Sequence, residues 1–203
     1  MSVKPYGVVL AGGQSSRMGE EKSLTMLAGE PMLVHVIKRL IPQVQQVFLS
    51  CEPADKSLAK FGCQLIEDEV PRHRGPLAGL YSALLYMQRK RLDSGLLLCP
   101  CDAPFIPSSL VEKLQLAVDS APGCAGVVSY EGFLQPTFSL WGRQHLPVIK
   151  EAVMKRGQGG LKRLITTIPH IIVDWPASEP PPFYNINTPE QLDVARQWLT
   201  RLN

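Results

Sequence analysis

Four polar clusters in this sequence of 203 residues combine residue types that bind anions, metals or sugars. The first is LAGGQSSRMGEEKS, residues 10–23. Ala11, Gly12 and Gly13 carry so little side chain that the backbone can approach a ligand and turn its N–H groups toward an anion. Ser15, Ser16, Arg17 and Lys22 add hydroxyls and two cations. A triphosphate needs this mixture of donors and positive charge. The spacing is neither a P-loop nor G-x-G-x-x-G. A polar turn with two solvated cations is the plain alternative. The concentration of Gly, Ser, Arg and Lys after the first apolar run favours phosphate.

The second cluster is EDEVPRHRGPLAGL, residues 67–80. Glu67, Asp68 and Glu69 can accept hydrogen bonds from a base or ribose. They can equally form an acidic turn that answers Arg72 and Arg74, and residue types alone leave both readings open. Gly75-Pro76 opens a helix whose first N–H groups could face a ligand. The third cluster is PCDAPF, residues 100–105, in which Asp102 is the only acid. A lone carboxylate past a buried strand needs a positive partner. Mg²⁺ suits it, because that ion is usually held by one or two carboxylates plus phosphate oxygens. Backbone satisfaction of an N-cap-like aspartate is the alternative, and the phosphate loop nearby favours metal. In the fourth cluster, YNINTPE (184–190), Asn187 turns the chain and Thr188 caps a helix. The four histidines make no Ser/His/Asp or Cys/His nucleophilic set, so direct transfer without a covalent enzyme intermediate is the default.

Alternating strands and helices position these clusters. Apolar β-rich runs at 6–10, 47–51, 63–66 and 95–99 predict strands. Helical spacing predicts helices at 31–41, 77–90 and 107–118, the last started by Pro107-Ser108-Ser109. A strand pair at 126–130 and 133–141 joins at Glu131-Gly132. Helices at 144–155 and 161–166, a strand at 171–174 and a final helix at 188–202 complete the chain. Such a pattern predicts a mostly parallel sheet with helices on both faces and ligands beyond the carboxyl ends of the strands. The chemistry is therefore expected just after Leu10, Ile66 and Cys99.

Composition narrows the class. The formal net charge of +3 and the scattered basic residues give no case for nucleic acid. The basic run Arg89-Lys90-Arg91 falls at a predicted helix end, where cations suit the dipole. No stretch reaches transmembrane length, and MSVKPYGVVLAGG lacks the pattern of a targeting segment. The five cysteines, with apolar neighbours and no completed zinc pattern, read as free thiols and predict a cytoplasmic protein.

Taken in order, LAGGQSSRMGEEKSL, GPLAGL (75–80), PCDAPF (100–105), QPTFSLW (135–141) and NINTPEQL (185–192) resemble the molybdenum cofactor guanylyltransferases. The likeness covers nearly the whole chain. The opening motif is shared with cytidylyl- and sugar-nucleotidyltransferases, whereas the combination is more specific. The resemblance implies one domain over residues 1–203 with a three-layer Rossmann-like nucleotidyltransferase fold. It implies Mg²⁺-dependent transfer of GMP from GTP to the phosphate of molybdopterin, with pyrophosphate released. Leu10, Ala11, Gly12 and Gly13 would contact the nucleotide, and Arg17 and Lys22 would hold its phosphates. Asp68 would help bind the nucleoside and Asp102 would bind Mg²⁺. Gly75 would let the chain pass close to the ligands, and Asn185 and Asn187 would hold the pterin-bearing acceptor. Proteins that deliver or receive the cofactor are implied partners; nucleic acid and membrane are not. Two features depart from the family. Glu52 stands where an asparagine is common and cannot donate an amide's hydrogen bonds. The loop from Met18 to Lys22 is short. The alternatives are a cytidylyltransferase acting on this cofactor or on a sugar or polyol phosphate, and a non-catalytic nucleotide- or cofactor-binding protein of the same fold. LAGG in place of LAAG favours guanine, and Arg17, Lys22 and Asp102 argue for catalysis.

Overall fold

The computed structural model describes residues 3–11, 22–70 and 75–202. Gly12, Gly13, Arg17 and the Arg72–Arg74 segment lie outside the described residues. In chain order the elements are β1 (Tyr6–Leu10), the hairpin strands β2 (Met26–Leu27) and β3 (Glu30–Pro31), α1 (Met32–Leu40), β4 (Val47–Cys51) and β5 (Gln64–Glu67). They continue with α2 (Pro76–Lys90), β6 (Leu96–Pro100), α3 (Leu110–Ser120), β7 (Ala125–Tyr130), β8 (Phe133–Trp141), α4 (Leu146–Met154), α5 (Leu161–Ile165), β9 (His170–Trp175) and α6 (Pro189–Leu202).

One seven-stranded sheet runs in the order β5-β4-β1-β6-β8-β7-β9. β5, β4, β1 and β6 are mutually parallel, and β9 is parallel to β7. β8 runs antiparallel to both of its neighbours. Successive side chains of a strand point to opposite faces, so an all-apolar strand must be covered twice. Val8, Phe48, Leu96 and Leu98 pack beneath α2, α4 and α5 through Leu77, Leu80, Ile149, Val153 and Leu164. Val9, Leu49, Leu97 and Cys99 face Leu33, Val36 and Leu40 of α1 and Leu110 and Leu114 of α3. A third, smaller cluster of Leu27, Met32, Phe105, Ile186, Leu192 and Ala195 fastens α6 to the hairpin and to the loop after β6.

The expected mostly parallel, doubly covered sheet is therefore present. Three local features differ from expectation. α3 starts at Leu110 instead of at 107, and Ser109 makes no side-chain cap. Its cap comes from Gln43, which donates to the Pro107 carbonyl (3.0 Å) and accepts the Val111 N–H (3.1 Å). The segment expected to open a helix at 144 first makes a 3₁₀ turn, Arg143–His145, with the His145 ring against the Gly142 backbone. The β2–β3 hairpin has no counterpart among the elements the sequence pattern predicts. Its strands are two residues each and turn through Ala28 (φ 48°) and Gly29 (φ 88°).

Gly79 fixes how closely α2 sits on the sheet. A Cβ there would lie 2.5 Å from Leu10 Cδ2 and 2.6 Å from Ser50 Oγ. Gly79→Ala is expected to cost about 1–3 kcal/mol of stability through overpacking. It should also disturb the hydrogen bond that the Ser50 hydroxyl donates to Asp68. Thermal melts of the variant check the stability loss.

Candidate active site at the parting of two strands

β1 sends its chain toward α1 and thence to β4, whereas β6 lies on the other side of β1. Connections leaving two neighbouring strands in opposite directions open a crevice at their carboxyl ends. The crevice is bounded by Leu10 and Ala11 on β1 and by Asp102 just past β6. The Ala11 N–H is tied to the Ser50 carbonyl of β4 (3.1 Å), which holds the mouth of the glycine-rich segment against the sheet.

Lys22 opens the short 3₁₀ turn Lys22–Leu24. Its ammonium reaches 3.2 Å from Asp102 Oδ2 and also donates to Asn187 Oδ1. The side chains of Lys22 and Asp102 are 23% and 14% exposed, so water screens this pair only partly. Burial pushes the Asp102 carboxyl above the ordinary carboxylate range, and Lys22 pulls it back down. The Ile186 N–H donates to the Asp102 carbonyl (2.8 Å), joining the Asn185–Asn187 loop to the same spot. Asn187 donates from Nδ2 to the Asn185 carbonyl (3.3 Å). Thr188 accepts the Gln191 N–H (3.3 Å) as the expected N-cap of α6. The turn-and-cap reading of this loop thus holds, and the same turn also places Asn187 against Lys22.

Asp68 lies three interstrand steps from β6, a span of roughly 14 Å at about 4.8 Å per step. It accepts a 2.9 Å hydrogen bond from Ser50 Oγ. Burial raises the Asp68 carboxyl above its usual range, the Ser50 hydroxyl lowers it, and the carboxylate of Glu52 raises it further. Glu52, the departure noted in the sequence, therefore adds negative charge beside Asp68. Of the other acids in this turn, Glu69 is answered by Arg89 of α2. One member of the basic run thereby has an ion-pair partner in addition to its place at a helix end. Gly75 caps α2 with φ 57° and ψ −156°, a conformation close to glycine-only. The backbone that passes closest there is the chain's own: a Cβ would meet the Gly159 carbonyl at 3.1 Å.

Because the folded pKa of Asp68 is raised, its contribution to stability is full below the unfolded value near 3.8 and is lost as pH rises through the folded value. Asp68→Asn keeps the acceptor for Ser50 and removes the desolvated charge. This variant is expected to melt above the wild type at pH 7, with the gap closing as pH falls below about 4. Melting curves across pH check the sign.

His35 and His145 do structural work. His35 contacts the Leu27 carbonyl (2.8 Å), and His145 bridges the backbones of Gly142 and Gly123 (3.1 Å each). Cys51, Cys99 and Cys101 are buried and Cys63 and Cys124 partly so, and none is in a disulfide. Burial pushes the Cys51 thiol up to about 11, far from a reactive thiolate at neutral pH. Among the described residues no helix is long and apolar enough to cross a membrane.

The family model for the MobA-like NTP transferase domain matches residues 7–171. This chain belongs to that family. A molybdenum cofactor guanylyltransferase of Rhizobium meliloti (strain 1021) is 34% identical, with 98% of this chain and 93% of that one covered. One from Shewanella amazonensis is 32% identical, covering 99% of this chain and all of the other. The fold is shared with molybdopterin-guanine dinucleotide biosynthesis protein A from Archaeoglobus fulgidus (TM-score 0.78, 22% identity, 97% and 99% of the two chains). It is shared too with a CMP:2-keto-3-deoxy-manno-octonic acid synthetase complexed with CTP (TM-score 0.73, 15% identity, 98% and 100%). The fold alone is thus common to relatives named for guanine and for cytosine chemistry. Family membership places the crevice residues Lys22 and Asp102 in a nucleotidyltransferase.

Proposed function

We propose that this chain transfers GMP from GTP to the phosphate of molybdopterin, forming the guanine dinucleotide and releasing pyrophosphate. The observation that carries the reading is the meeting of Lys22, Asp102 and the Asn185–Asn187 loop at one point of the crevice between β1 and β6. The relatives' names supply the donor and the acceptor.

In this reading an oxygen of the acceptor's phosphate bonds to the α-phosphorus of GTP. The bond from that phosphorus to the bridging oxygen of the β-phosphate breaks, and pyrophosphate leaves with the electron pair. The attacking phosphate is already ionised, so the enzyme has no strong base to provide. Lys22 and Arg17, with backbone N–H groups of Gly12 and Gly13, hold the triphosphate and stabilise charge on the departing pyrophosphate, while Leu10 and Ala11, whose N–H is taken by Ser50, line the nucleotide with their backbone. Asp68, across the sheet edge, accepts hydrogen bonds from the nucleoside. Asn185 and Asn187 orient the acceptor, and Gly75 keeps the start of α2 free of a side chain beside it.

Asp102 fits Mg²⁺: it is a partly buried, hard oxygen donor beside the phosphate-binding turn. Among the described residues no group of three or more His, Cys, Asp or Glu could form a protein-only metal cage. An ion there would take its other ligands from phosphate oxygens and water, as Mg²⁺ prefers. Once bound, the ion would neutralise triphosphate charge and polarise the α-phosphate. All 203 residues would serve as one catalytic domain. The free cysteines support a reducing, cytoplasmic setting.

Competition binding with Mg²⁺ present tests the donor. GTP should displace a fluorescent guanine nucleotide at lower concentration than CTP or ATP. Preferred binding of CTP would move the proposal to the cytidylyltransferase alternative.

A further inference from the structure

The residue that anchors Asn187 is one that sequence motifs assign only to a helix end. A capping box requires the side chain three positions into a helix to accept the N–H of the N-cap residue. Gln191 does this for Thr188 at 3.1 Å. The same carboxamide oxygen also accepts the N–H of Asn187, one residue outside the helix, and at 2.7 Å this is the shorter bond. Asn187 is thereby held at three atoms: its N–H by Gln191, its Nδ2 on the Asn185 carbonyl, and its Oδ1 against the Lys22 ammonium. The bond to Asn187 adds nothing that capping requires. What it does is fix the backbone from which the Asn187 amide projects toward Lys22.

The third core cluster makes this link stiff. Ile186 precedes Asn187 and is wholly buried in the cluster that holds Leu27, of the hairpin that follows the Lys22 turn, and Met32, at the start of α1. The chain that leaves the Lys22 turn and the chain that enters Asn187 therefore meet in one apolar cluster. We propose that Gln191 is a positioning residue for the transfer: its carboxamide oxygen sets Asn187, and through Asn187 the ammonium of Lys22 opposite Asp102. The inference rests on the transfer reaction proposed above.

Three variants separate positioning from capping. Thr188→Ala removes the hydroxyl that caps α6 and leaves the bond from the Asn187 N–H to Gln191. Gln191→Ala removes both bonds to the carboxamide oxygen. Gln191→Glu keeps an acceptor in the same place. With GTP, Mg²⁺ and molybdopterin, Gln191→Ala is expected to lower kcat about tenfold and to raise KM for the acceptor, the scale of a small misplacement of catalytic groups. Thr188→Ala should stay within about twofold of wild type despite a comparable loss of helix capping. Gln191→Glu should restore most of kcat. The side-chain amide resonances of Asn187 give a readout independent of turnover. They should keep their wild-type positions in Thr188→Ala and collapse toward free-amide values in Gln191→Ala. Unmoved Asn187 resonances in Gln191→Ala, or identical kinetics for Gln191→Ala and Thr188→Ala, would overturn the inference. An inactive wild type with shifted Asn187 resonances in Gln191→Ala would leave the positioning link standing and refute the transfer reading instead.

Discussion

Asp102→Ala is expected to lower turnover on the order of 10³-fold while the protein remains folded, with pyrophosphate release as the assay. The size follows from where the carboxylate sits. Asp102 lies partly buried at the parting of β1 and β6, with its backbone carbonyl tied to Ile186 and one carboxylate oxygen tied to Lys22. It carries the only carboxylate between Leu96 and Pro107, so no neighbour in that stretch can substitute for it. Removing it takes away the proposed metal-holding oxygen and leaves Lys22 with only Asn187 of its two observed partners. Asp102→Asn separates shape from charge. It preserves the outline of the side chain but lacks the anionic oxygen a divalent cation requires, so it should be nearly as inactive as alanine. Activity within tenfold of wild type in either variant would refute the assignment.

Lys22→Met is the second large effect. Methionine spans a similar length without charge, and turnover should fall on the order of 10²-fold. A stability effect accompanies it. With Lys22 gone, only a backbone hydrogen bond still opposes the burial that raises the Asp102 carboxyl, so its pKa climbs further. A raised folded pKa makes the stability loss greatest at neutral pH and absent at low pH, where the carboxyl is protonated in both states. The loss at pH 7 is expected at about 1–3 kcal/mol, typical of a group left without its partner. Lys22→Arg should recover stability better than activity, since a planar guanidinium cannot occupy the same point between Asp102 and Asn187 as a compact ammonium. Melting curves at several pH values, run beside the kinetics, distinguish the two contributions. A Lys22→Met protein that turns over normally would remove Lys22 from the mechanism.

Much of this architecture is legible in the sequence because it depends on local chemistry. The runs YGVVL, VFLSC and LLLCP are apolar on both faces, which only a doubly covered strand tolerates. Thr188-Pro189-Glu190 announces a helix start by its caps alone. The clusters around Lys22, Asp68 and Asp102 are legible as residue types at the ends of such strands. Contacts across the fold are not. Lys22 meets Asp102 from 80 positions away and Asn187 from 165, and no spacing rule encodes either pairing. Gln43 caps α3 from 68 residues away, so a local search for its cap stops wrongly at Pro107-Ser108-Ser109. The β2–β3 hairpin is too short to show alternation. Gly79 reads as a weak point in a helix, yet it is required because Leu10 and Ser50 leave no room for a Cβ. Arg89 looks like a helix-end cation until the fold brings Glu69 against it.

The most direct test is the mass of the product. Purified protein, GTP, Mg²⁺ and molybdopterin are incubated together, and the pterin fraction is weighed by mass spectrometry while pyrophosphate is measured in parallel. The predicted result is a pterin heavier by one GMP moiety, formed with one pyrophosphate per product and lost when Asp102 is replaced. An unchanged pterin mass with GTP, or equal product from the Asp102→Asn protein, would contradict it.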